Sequence, residues 1–261
     1  MTDDELLALY DQEQRRNLHF PGMRRELDHE AGGEVVRCVD ETAAAQANFV
    51  LYSRLTAENA DQAIQAQIAY FAALGRSFEW KLYDHDTPPD LRQRLAAHGF
   101  AIGEAEAIMA LDLQAAPPAL LQPVRADVRR LTKPDDAHLI VPIEEAVWGG
   151  DRSAWGARLA EEMRLTPDLL SVYLVYVGGV AACAAWINFT PQSQFASLWG
   201  GSTRPEFRKM GLYTAVLAAR VQEAIRRGYR FLTIDASPMS RPIVARHGFR
   251  FLTYSYPCEY E

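Results

Sequence analysis

The segment "STRPEFRKMGLYTAVLAARVQEAIRRGYRFLTIDAS", from Ser202 to Ser237, joins a cationic turn to a long amphipathic helix pattern and then to a strand. Arg208 and Lys209 stand just before Gly211, where the helix is predicted to begin. Helices begin more favourably on Ser, Thr, Asp or Asn, because a helix N-terminus already carries partial positive charge. The same end presents unpaired N–H groups to anions, and a glycine allows a close approach to the backbone. The pattern therefore indicates a site for an anion such as phosphate, although ordinary surface turns use the same residues.

Charge is unevenly distributed along the chain. The 261 residues carry a net charge of −7. Residues 1–116 hold 10 basic and 20 acidic side chains, whereas residues 117–261 hold 17 and 14. We therefore expect an anionic ligand to bind the second part. Three arginines of the long helix, Arg220, Arg226 and Arg227, are expected on a solvated face. No nucleic-acid motif is present, and the overall acidity disfavours a nucleic-acid partner.

Composition and cysteine spacing limit the class of protein. With 49% hydrophobic residues, the chain can bury the core of one large or two small domains. No apolar run reaches ~18 residues, so no membrane-spanning helix is expected, and the acidic first residues are not typical of a secretory signal. The three cysteines, Cys38, Cys183 and Cys258, fit neither a disulfide framework nor a metal motif. We expect a cytoplasmic protein with no metal and no membrane partner, in which the cysteines are buried.

A proline-rich segment separates two parts that share one order of elements. The segment "QAAPPALLQPV" (114–124) has three prolines and no charge, which is typical of an interdomain linker. On each side the patterns predict a strand, a long helix ended by glycine, a strand, a short helix, the triplet "HGF" and a final strand. We therefore predict an internal duplication, with one domain over residues 1–116 and another over residues 117–261.

The two copies differ at the start of the long helix. In the first copy the helix follows "RLTAENADQ", which has no glycine and carries Glu58 and Asp61. Acidic residues are ordinary in the first turn of a helix, but they would repel a phosphate. Only the second copy is therefore expected to bind an anion.

The order strand, "RPEFRKMGLY", long helix, strand, short helix, "HGF" and strand resembles the GCN5-related N-acetyltransferase (GNAT) superfamily. The acyl-CoA motif of that superfamily runs Q/R-x-x-G-x-G/A, and Arg208, Gly211 and Tyr213 occupy its three positions. The hairpin pattern "LSVYLVYVGGVAACAAWINF" and the helical pattern over 135–162 match the first half of such a domain. The resemblance covers residues 120–261 in full, and residues 34–113 only as the later half of a domain. It implies an α/β fold of the α+β type, in which a mixed central sheet flanked by helices is preceded by a degenerate GNAT-like half-domain.

The resemblance also implies an activity, the transfer of an acetyl group from acetyl-CoA to an amine of a small molecule or peptide. It implies that the pantetheine arm of the cofactor lies along one of two splayed strands and that the pyrophosphate lies on the turn before the helix. The implied cofactor contacts are Gly201, Ser202, Thr203, Arg208, Lys209, Met210, Gly211, Leu212 and Tyr213. Tyr213 departs from the motif, where a small residue is usual, so we expect its side chain to point away. The oligomeric state stays open between monomer and homodimer.

The catalytic residues are less clearly marked. The tyrosine that donates a proton in many relatives corresponds to Val244 here, so we predict Ser240 as the acid, with Ser237 competing for the role of helix cap. Asp235, at the end of a strand, is the predicted base, with Glu144 or Glu145 as the alternative. Further assignments are open or structural: Tyr213, Tyr254 and Tyr256 are rival proton donors, His247 is expected to be structural, and Trp148, Trp155 and Trp199 either line an acceptor pocket or pack in the core.

Two other classes of function stay open. The missing tyrosine favours a non-catalytic acyl-CoA-binding or regulatory module. A structural protein in which both copies are vestigial would have no affinity for acetyl-CoA.

Overall fold

The computed structural model describes residues 1–20, 22–29, 32–41 and 48–261. These residues form two units, each with parallel and antiparallel strand pairs and flanking helices. The first unit consists of Met1–Met109, Ala236–Pro242 and Phe251–Glu261, and the second of Ala110–Asp235 and Ile243–Arg250. The predicted α/β class is therefore confirmed. The division follows packing and is not a single cut of the chain, so the boundary placed after residue 116 stays a prediction.

The chain begins with the elements of the first unit. A helix, α1 (Asp3–Tyr10), leads into a π-helical turn, Asp11–Arg16. The elements that follow are β1 (Met23–Asp28), β2 (Glu34–Asp40), β3 (Phe49–Arg54), α2 (Ala60–Ala73), β4 (Phe78–Tyr83), α3 (Leu91–Ala97), β5 (Ala101–Ile102) and β6 (Glu106–Asp112). The sequence predicted β3, α2, β4, α3 and β6. It did not indicate the hairpin of β1 and β2, because β2 is buried on both faces and shows little polar–apolar alternation.

The chain then builds the second unit and returns to the first. Its elements are α4 (Pro118–Leu121), β7 (Asp127–Arg130), a 3-10 turn (Pro134–Ile140), α5 (Val141–Trp148), α6 (Ser153–Leu165), β8 (Leu170–Val177), β9 (Val180–Phe189), β10 (Phe195–Thr203), α7 (Leu212–Arg226), β11 (Phe231–Ala236), α8 (Arg241–Arg246) and β12 (Arg250–Tyr260). The predicted hairpin is β8 and β9, joined at Gly178 and Gly179. Both glycines have positive φ, which a tight two-residue turn between such strands requires.

The two units repeat one pairing pattern. In the first, β1–β2 and β2–β3 are antiparallel and β3–β4 are parallel. In the second, β8–β9 and β9–β10 are antiparallel and β10–β11 are parallel. The long helices α2 and α7 each connect the two parallel strands. This repetition supports an internal duplication and extends it to an earlier hairpin in the first unit.

The histidine of each "HGF" triplet makes the same contact in its own unit. His98 Nε2 lies 3.0 Å from a carboxylate oxygen of Asp61, in the first turn of α2. His247 Nε2 lies 3.3 Å from the hydroxyl of Thr214, in the first turn of α7. Both contacts tie the end of a short helix to the start of a long one. The structural role expected for His247 is therefore supported by an equivalent contact in the copy without the cationic turn.

The last strands of the two copies are exchanged between the units. β12, at the end of the chain, pairs antiparallel with β4 of the first unit, with Cys258 opposite Trp80. The end of β6, from Ala110, belongs to the second unit and neighbours β11 there. Hydrogen bonding continues just past the end of β6, where the N–H of Leu113 donates to the carbonyl of Arg230, the residue before β11, at 2.8 Å. Each unit is therefore completed by a strand from the other copy.

The proline-rich segment is not a free linker. It contains α4, and Leu120 of this helix is fully buried. The side-chain nitrogen of Gln222 on α7 donates to the carbonyls of Leu120 at 3.0 Å and Gln122 at 2.8 Å. The predicted interdomain linker therefore contains a packed helix, which is possible because prolines at the start of a short helix remove no hydrogen bond that the helix would make.

The expectation that the cysteines are buried is confirmed for Cys38, Cys183 and Cys258. Burial raises the pKa of the Cys258 thiol to about 12. None of the helices in the described part of the chain combines the length and apolar character needed to cross a bilayer.

Replacing Cys258 with Asp should unfold the first unit selectively. The side chain at this position is fully buried in the core of α2, α3 and β4, and a buried carboxylate without a partner is strongly unfavourable. Hydrogen-exchange mass spectrometry should show that peptides from residues 34–83 lose protection while peptides from residues 170–226 keep it. Glu259→Gln, at the exposed neighbouring position, is the control. Equal loss in both regions, or no loss, would contradict the exchange of last strands.

Candidate active site

The parallel strands of the second unit separate after a short paired region. β10 and β11 are in register only from Phe195↔Phe231 to Ser197↔Thr233. β10 then continues to Thr203, paired on its other side with β9, and β11 continues through Asp235. Over this described stretch, the inner edge of β10 from Leu198 onwards has no strand partner on the β11 side. The backbone groups there are open to an extended ligand.

A bulge interrupts β10 at Gly200 and Gly201. The register with β9 shifts between Gly200 and Ser202, and both glycines have positive φ, 69° and 88°. A Cβ on Gly200 would lie 2.3 Å from the ring of Trp186, and one on Gly201 would lie 2.7 Å from the ring of Tyr213. Both positions therefore require glycine, for backbone conformation and for space. Gly201 was predicted as a site residue, whereas Gly200 was missed although the pair "GG" signalled it.

The start of α7 has the form that the cationic turn predicts. Gly211 is the N-cap with φ 76° and ψ 7°, and no side chain among the described residues caps the helix. A Cβ on Gly211 would meet no described atom within 4 Å. Lys209 also adopts positive φ, 65°, a conformation that costs a non-glycine residue about 1–3 kcal/mol. Arg208, Lys209 and Met210 are exposed beside this turn.

The side chain of Arg208 makes a hydrogen bond in the turn. Its Nε donates to the carbonyl of Thr203 at 3.2 Å, so the arginine joins the turn to the end of β10. In the first unit the corresponding helix start is acidic. Asp61 forms an ion pair with Arg94 and contacts His98, so an acidic residue lies where the second unit has cations. The structure therefore retains the difference between the copies that the sequence indicated.

The side chain of Tyr213 packs against the bulge of β10. Its ring fills the space beside Gly201 and lies 6.3 Å from the ring of His247. Burial raises the pKa of its hydroxyl, and this oxygen has no hydrogen-bond partner among the described residues. The side chain packs under the strand, in accordance with the departure of this position from the small residue of the motif.

Arg220 contradicts the expectation of a solvated helix face. It is 1% exposed, and its Nη1 donates to the carbonyls of Trp186 at 3.1 Å and Trp199 at 3.2 Å. These carbonyls belong to β9 and β10 beside the bulge. Burial lowers the pKa of Arg220. The expectation fails because α7 packs a broad face on the sheet, so that a cation on this face satisfies backbone carbonyls instead of water.

The other two arginines of this group differ from each other. Arg226 is exposed, as expected. Arg227 is half-buried: it donates to Glu223 at 2.6 Å and stacks on Phe189, with its guanidinium carbon 4.0 Å from the ring centre.

Glu144 lies on the opposite side of β10. It is 7% exposed, and its Oε1 has no hydrogen-bond partner in the described part of the chain. Burial raises the pKa of Glu144, and hydrogen bonding from Ser202, the charge of Arg152 and hydrogen bonding from Trp148 offset part of this effect. Glu145, the other sequence alternative, is tied to its own loop, because it accepts the N–H of Arg152 at 3.3 Å. Of the two glutamates, Glu144 is therefore the buried one, and its pKa is raised.

Four of the chain's five tryptophans belong to the second unit, one each on α5, α6, β9 and β10. Trp148 donates its Nε1–H to the hydroxyl of Ser202 at 3.1 Å, and Trp199 donates to the hydroxyl of Ser197 at 3.0 Å. Their side chains are 58% and 43% exposed. Core packing, one of the two expectations for them, is thus wrong for these two. Trp155 does pack, with its ring 5.1 Å from that of Trp186.

The two predicted catalytic residues lie in different units. Asp235 is half-buried on β11, past the paired region, in the second unit. Ser240 precedes α8 in the segment assigned to the first unit. Its hydroxyl donates to the carbonyl of Ser237 at 3.2 Å, and its N–H donates to the hydroxyl of Ser237 at 3.3 Å. Both serines therefore shape the turn before α8, and the catalytic roles of Ser240 and Asp235 stay predictions.

The remaining candidates are accounted for by packing. Val244, where many relatives have a tyrosine, is fully buried. The hydroxyl of Tyr254 accepts a hydrogen bond from the guanidinium of Arg241. Tyr256 is half-buried on β12 in the first unit and lies against Arg92, whose guanidinium carbon is 5.0 Å from the ring centre.

Replacing Glu144 with Gln should stabilise the protein at high pH. A carboxyl whose pKa is raised by folding stabilises the folded state below its ordinary pKa, and this contribution is lost as the pH rises through the folded pKa. The amide imitates the protonated form, so Tm should rise in Glu144→Gln at about pH 8 and change less at about pH 4. Glu161→Gln, at an exposed position on α6, is the control. A lower Tm at about pH 8, or an equal change at both pH values, would contradict the assignment.

Comparison with known proteins identifies the fold. No protein-family model and no curated protein sequence matches the chain. A GCN5-related N-acetyltransferase from Kribbella flavida has a similar structure, with a TM-score of 0.67 and 15% identity over 98% of this chain and 94% of that one. A tandem GNAT protein from the clavulanic acid biosynthesis pathway has a TM-score of 0.62 and 16% identity over 99% and 87% of the two chains. A GCN5-related N-acetyltransferase from Sphaerobacter thermophilus has a TM-score of 0.57 and 13% identity over 87% and 80%. At these identities the likeness concerns the fold, and the chain has the fold of the GCN5-related N-acetyltransferase superfamily.

Proposed function

We propose that this protein binds acetyl-CoA in its second unit and transfers the acetyl group to an amine of a small molecule or peptide. The observation that supports this most directly is the combination of two parallel strands that separate and an uncapped helix start at Gly211. The separated strands offer backbone groups to an extended pantetheine arm. The helix start offers N–H groups and a positive dipole end to a phosphate. Neither feature alone is specific, but both occur in one unit with cations beside the turn.

The residues of the turn fit a pyrophosphate. Gly211 leaves space above the backbone, and the N–H groups between Arg208 and Tyr213 can donate to phosphate oxygens. Arg208 and Lys209 supply positive charge at an exposed position. The backbone of Gly201, Ser202 and Thr203 can pair with a pantetheine arm along the open edge of β10. The cationic turn of the second unit and the ion-paired Asp61 of the first predict one acetyl-CoA site per chain.

When bound, acetyl-CoA supplies an acyl group activated as a thioester. The protein must then position an amine, remove a proton from it and provide a proton for the leaving sulfur. Asp235 is the proton acceptor predicted from the sequence, and Ser240 is the proton donor, acting directly or through water. The open N–H groups of β10 beside the bulge can stabilise negative charge on an acyl oxygen.

A non-catalytic acyl-CoA-binding module is the second candidate. The observation in its favour is Val244, which is buried and apolar where many relatives carry the proton donor. The two functions differ in one measurement, because only a transferase releases free CoA in the presence of an amine.

Replacing Gly211 with Glu should abolish acetyl-CoA binding, because a negatively charged side chain would occupy the space beside the helix start. Gly228→Glu is a matched control at the other end of α7, since this glycine also has positive φ, 81°, and a Cβ added there would meet no described atom within 4 Å. Calorimetric titration with acetyl-CoA should give one site per chain in wild type and Gly228→Glu, and no heat of binding in Gly211→Glu. Unchanged binding in Gly211→Glu would show that the turn does not hold the pyrophosphate.

Replacing Ser240 with Ala, or Asp235 with Asn, should lower kcat by about tenfold to a hundredfold and leave acetyl-CoA affinity near that of wild type, as loss of general acid or base catalysis does. The rate is measured as CoA release with the most active amine of a panel. Ser237→Ala is the control for the turn before α8. If Ser237→Ala reproduces the loss seen in Ser240→Ala, the effect comes from the turn. An unchanged kcat would exclude the replaced residue from the mechanism.

A further inference from the structure

A buried carboxylate without a full set of partners adjoins β10. Glu144 is 7% exposed, and its Oε1 has no hydrogen-bond partner among the described residues. A buried carboxylate is strongly unfavourable unless it is protonated or paired with a cation. The charge of Arg152 acts on Glu144, but the guanidinium of this arginine donates its hydrogen bonds to the carbonyls of Gly149 and Trp148 instead. The position is therefore suited to a cation that comes from outside the chain.

The neighbours of Glu144 lead to the strand proposed for the cofactor. Ser202 and Trp148 are close enough to Glu144 to offset part of the rise in its pKa, and Trp148 donates its N–H to the hydroxyl of Ser202. Ser202 lies on β10 directly after the bulge. A group held by Glu144 is thus close to the part of β10 where the proposed acyl group would arrive.

Two exposed indoles lie near this position, Trp148 at the end of α5 and Trp199 on β10. Trp148 is fixed by Ser202, and Trp199 is fixed by Ser197, while their rings stay largely exposed. Exposed indoles that are held by hydrogen bonds offer rigid apolar surface, and their faces attract cations. Trp199 lies opposite Trp186 in the pairing with β9, so the indole surface continues to the α6 side of this unit. The combination of an anion and indole faces is complementary to an organic cation.

We propose that Glu144, Trp148 and Trp199 form the acceptor subsite, and that the acceptor is an amine that arrives as an ammonium ion on an apolar or aromatic body. The ammonium group pairs with Glu144, and the body lies against the indoles. In the following step one N–H bond of the ammonium breaks, the proton forms an O–H bond with Glu144, and the electron pair stays on nitrogen as a nucleophile. Glu144 then acts as the catalytic base, a role that the sequence left open between Asp235 and Glu144. A loss of kcat in Glu144→Gln with none in Asp235→Asn decides for Glu144. The inference rests on the proposed acetyl transfer for its biological meaning.

The test compares a charged and a neutral probe of the same shape. Benzylammonium and benzyl alcohol are titrated into the full chain labelled with nitrogen-15, and the indole N–H signals of Trp148 and Trp199 are followed. The signals are assigned with Trp148→Phe and Trp199→Phe. We expect benzylammonium to shift both signals and to bind at least about tenfold more tightly than benzyl alcohol, because only the charged probe can pair with the carboxylate.

Glu144→Gln supplies the decisive variant, with Glu161→Gln as the exposed control. The preference for the charged probe should disappear in Glu144→Gln and persist in Glu161→Gln. With the amine panel, Glu144→Gln should also raise KM for the amine and lower kcat. Equal affinity for both probes in wild type, no shift of the two indole signals, or a preference that survives in Glu144→Gln would each overturn the proposal.

The same samples separate this inference from the proposed function. Calorimetry with acetyl-CoA tests the cofactor site independently of the amine probes. Glu144-dependent binding of benzylammonium without any acetyl-CoA binding would support the subsite and contradict acetyl transfer. Binding of acetyl-CoA without a charge preference at the indoles would support the cofactor site and contradict the subsite.

Discussion

The shape of β10 at Gly200 and Gly201 is the constraint on which the second unit depends. The rings of Trp186 and Tyr213 occupy the places where side chains of these two residues would be, so the strand can bulge there only with glycine. Arg220 fixes the same region from below by donating to carbonyls of β9 and β10. The bulge shifts the register of β10 with β9 between Gly200 and Ser202, and pairing with β9 then continues to Thr203. It lies on the part of β10 that is no longer paired with β11, since that pairing ends at Ser197.

Two buried ionisable groups stand on opposite sides of this strand. Arg220 lies on the α7 side, where its Nη1 donates to carbonyl oxygens, and Glu144 lies on the α5 side. Each also has one buried polar atom without a hydrogen-bond partner among the described residues, Nη2 of Arg220 and Oε1 of Glu144. Burial acts against the charged form of each, lowering the pKa of Arg220 and raising that of Glu144. Such groups lower stability relative to apolar residues. Their presence beside the proposed site, together with the positive φ of Lys209, indicates that this region is shaped by something other than stability.

The two copies show how one topology can hold two different helix starts. Both have a long helix between parallel strands, and in both a histidine of "HGF" contacts the first turn of that helix. In the first copy this turn carries Asp61, which is held by Arg94 and His98. In the second it carries Thr214 and is preceded by an exposed cationic turn. The histidine contact therefore belongs to the fold, and the cations are the feature that distinguishes the second copy.

The sequence by itself determined the fold class, the turn from Arg208 to Gly211 and the elements from β3 to β12 other than β5 and α4. These depend on local periodicity, on glycine and on the order of elements along the chain. It did not determine that Arg220 is buried, since helical spacing alone does not say how wide a face the sheet covers. It also left Glu144 as one alternative among several, because only the packing of α5 on β10 removes its carboxylate from water. The sequence also did not show the exchange of last strands, since the residues of β6 and β12 do not specify which strand lies beside them. Helices, strands and turns can be predicted because they depend on neighbouring residues. Burial and strand partners are decided by the tertiary structure, because they depend on residues that are distant in the chain.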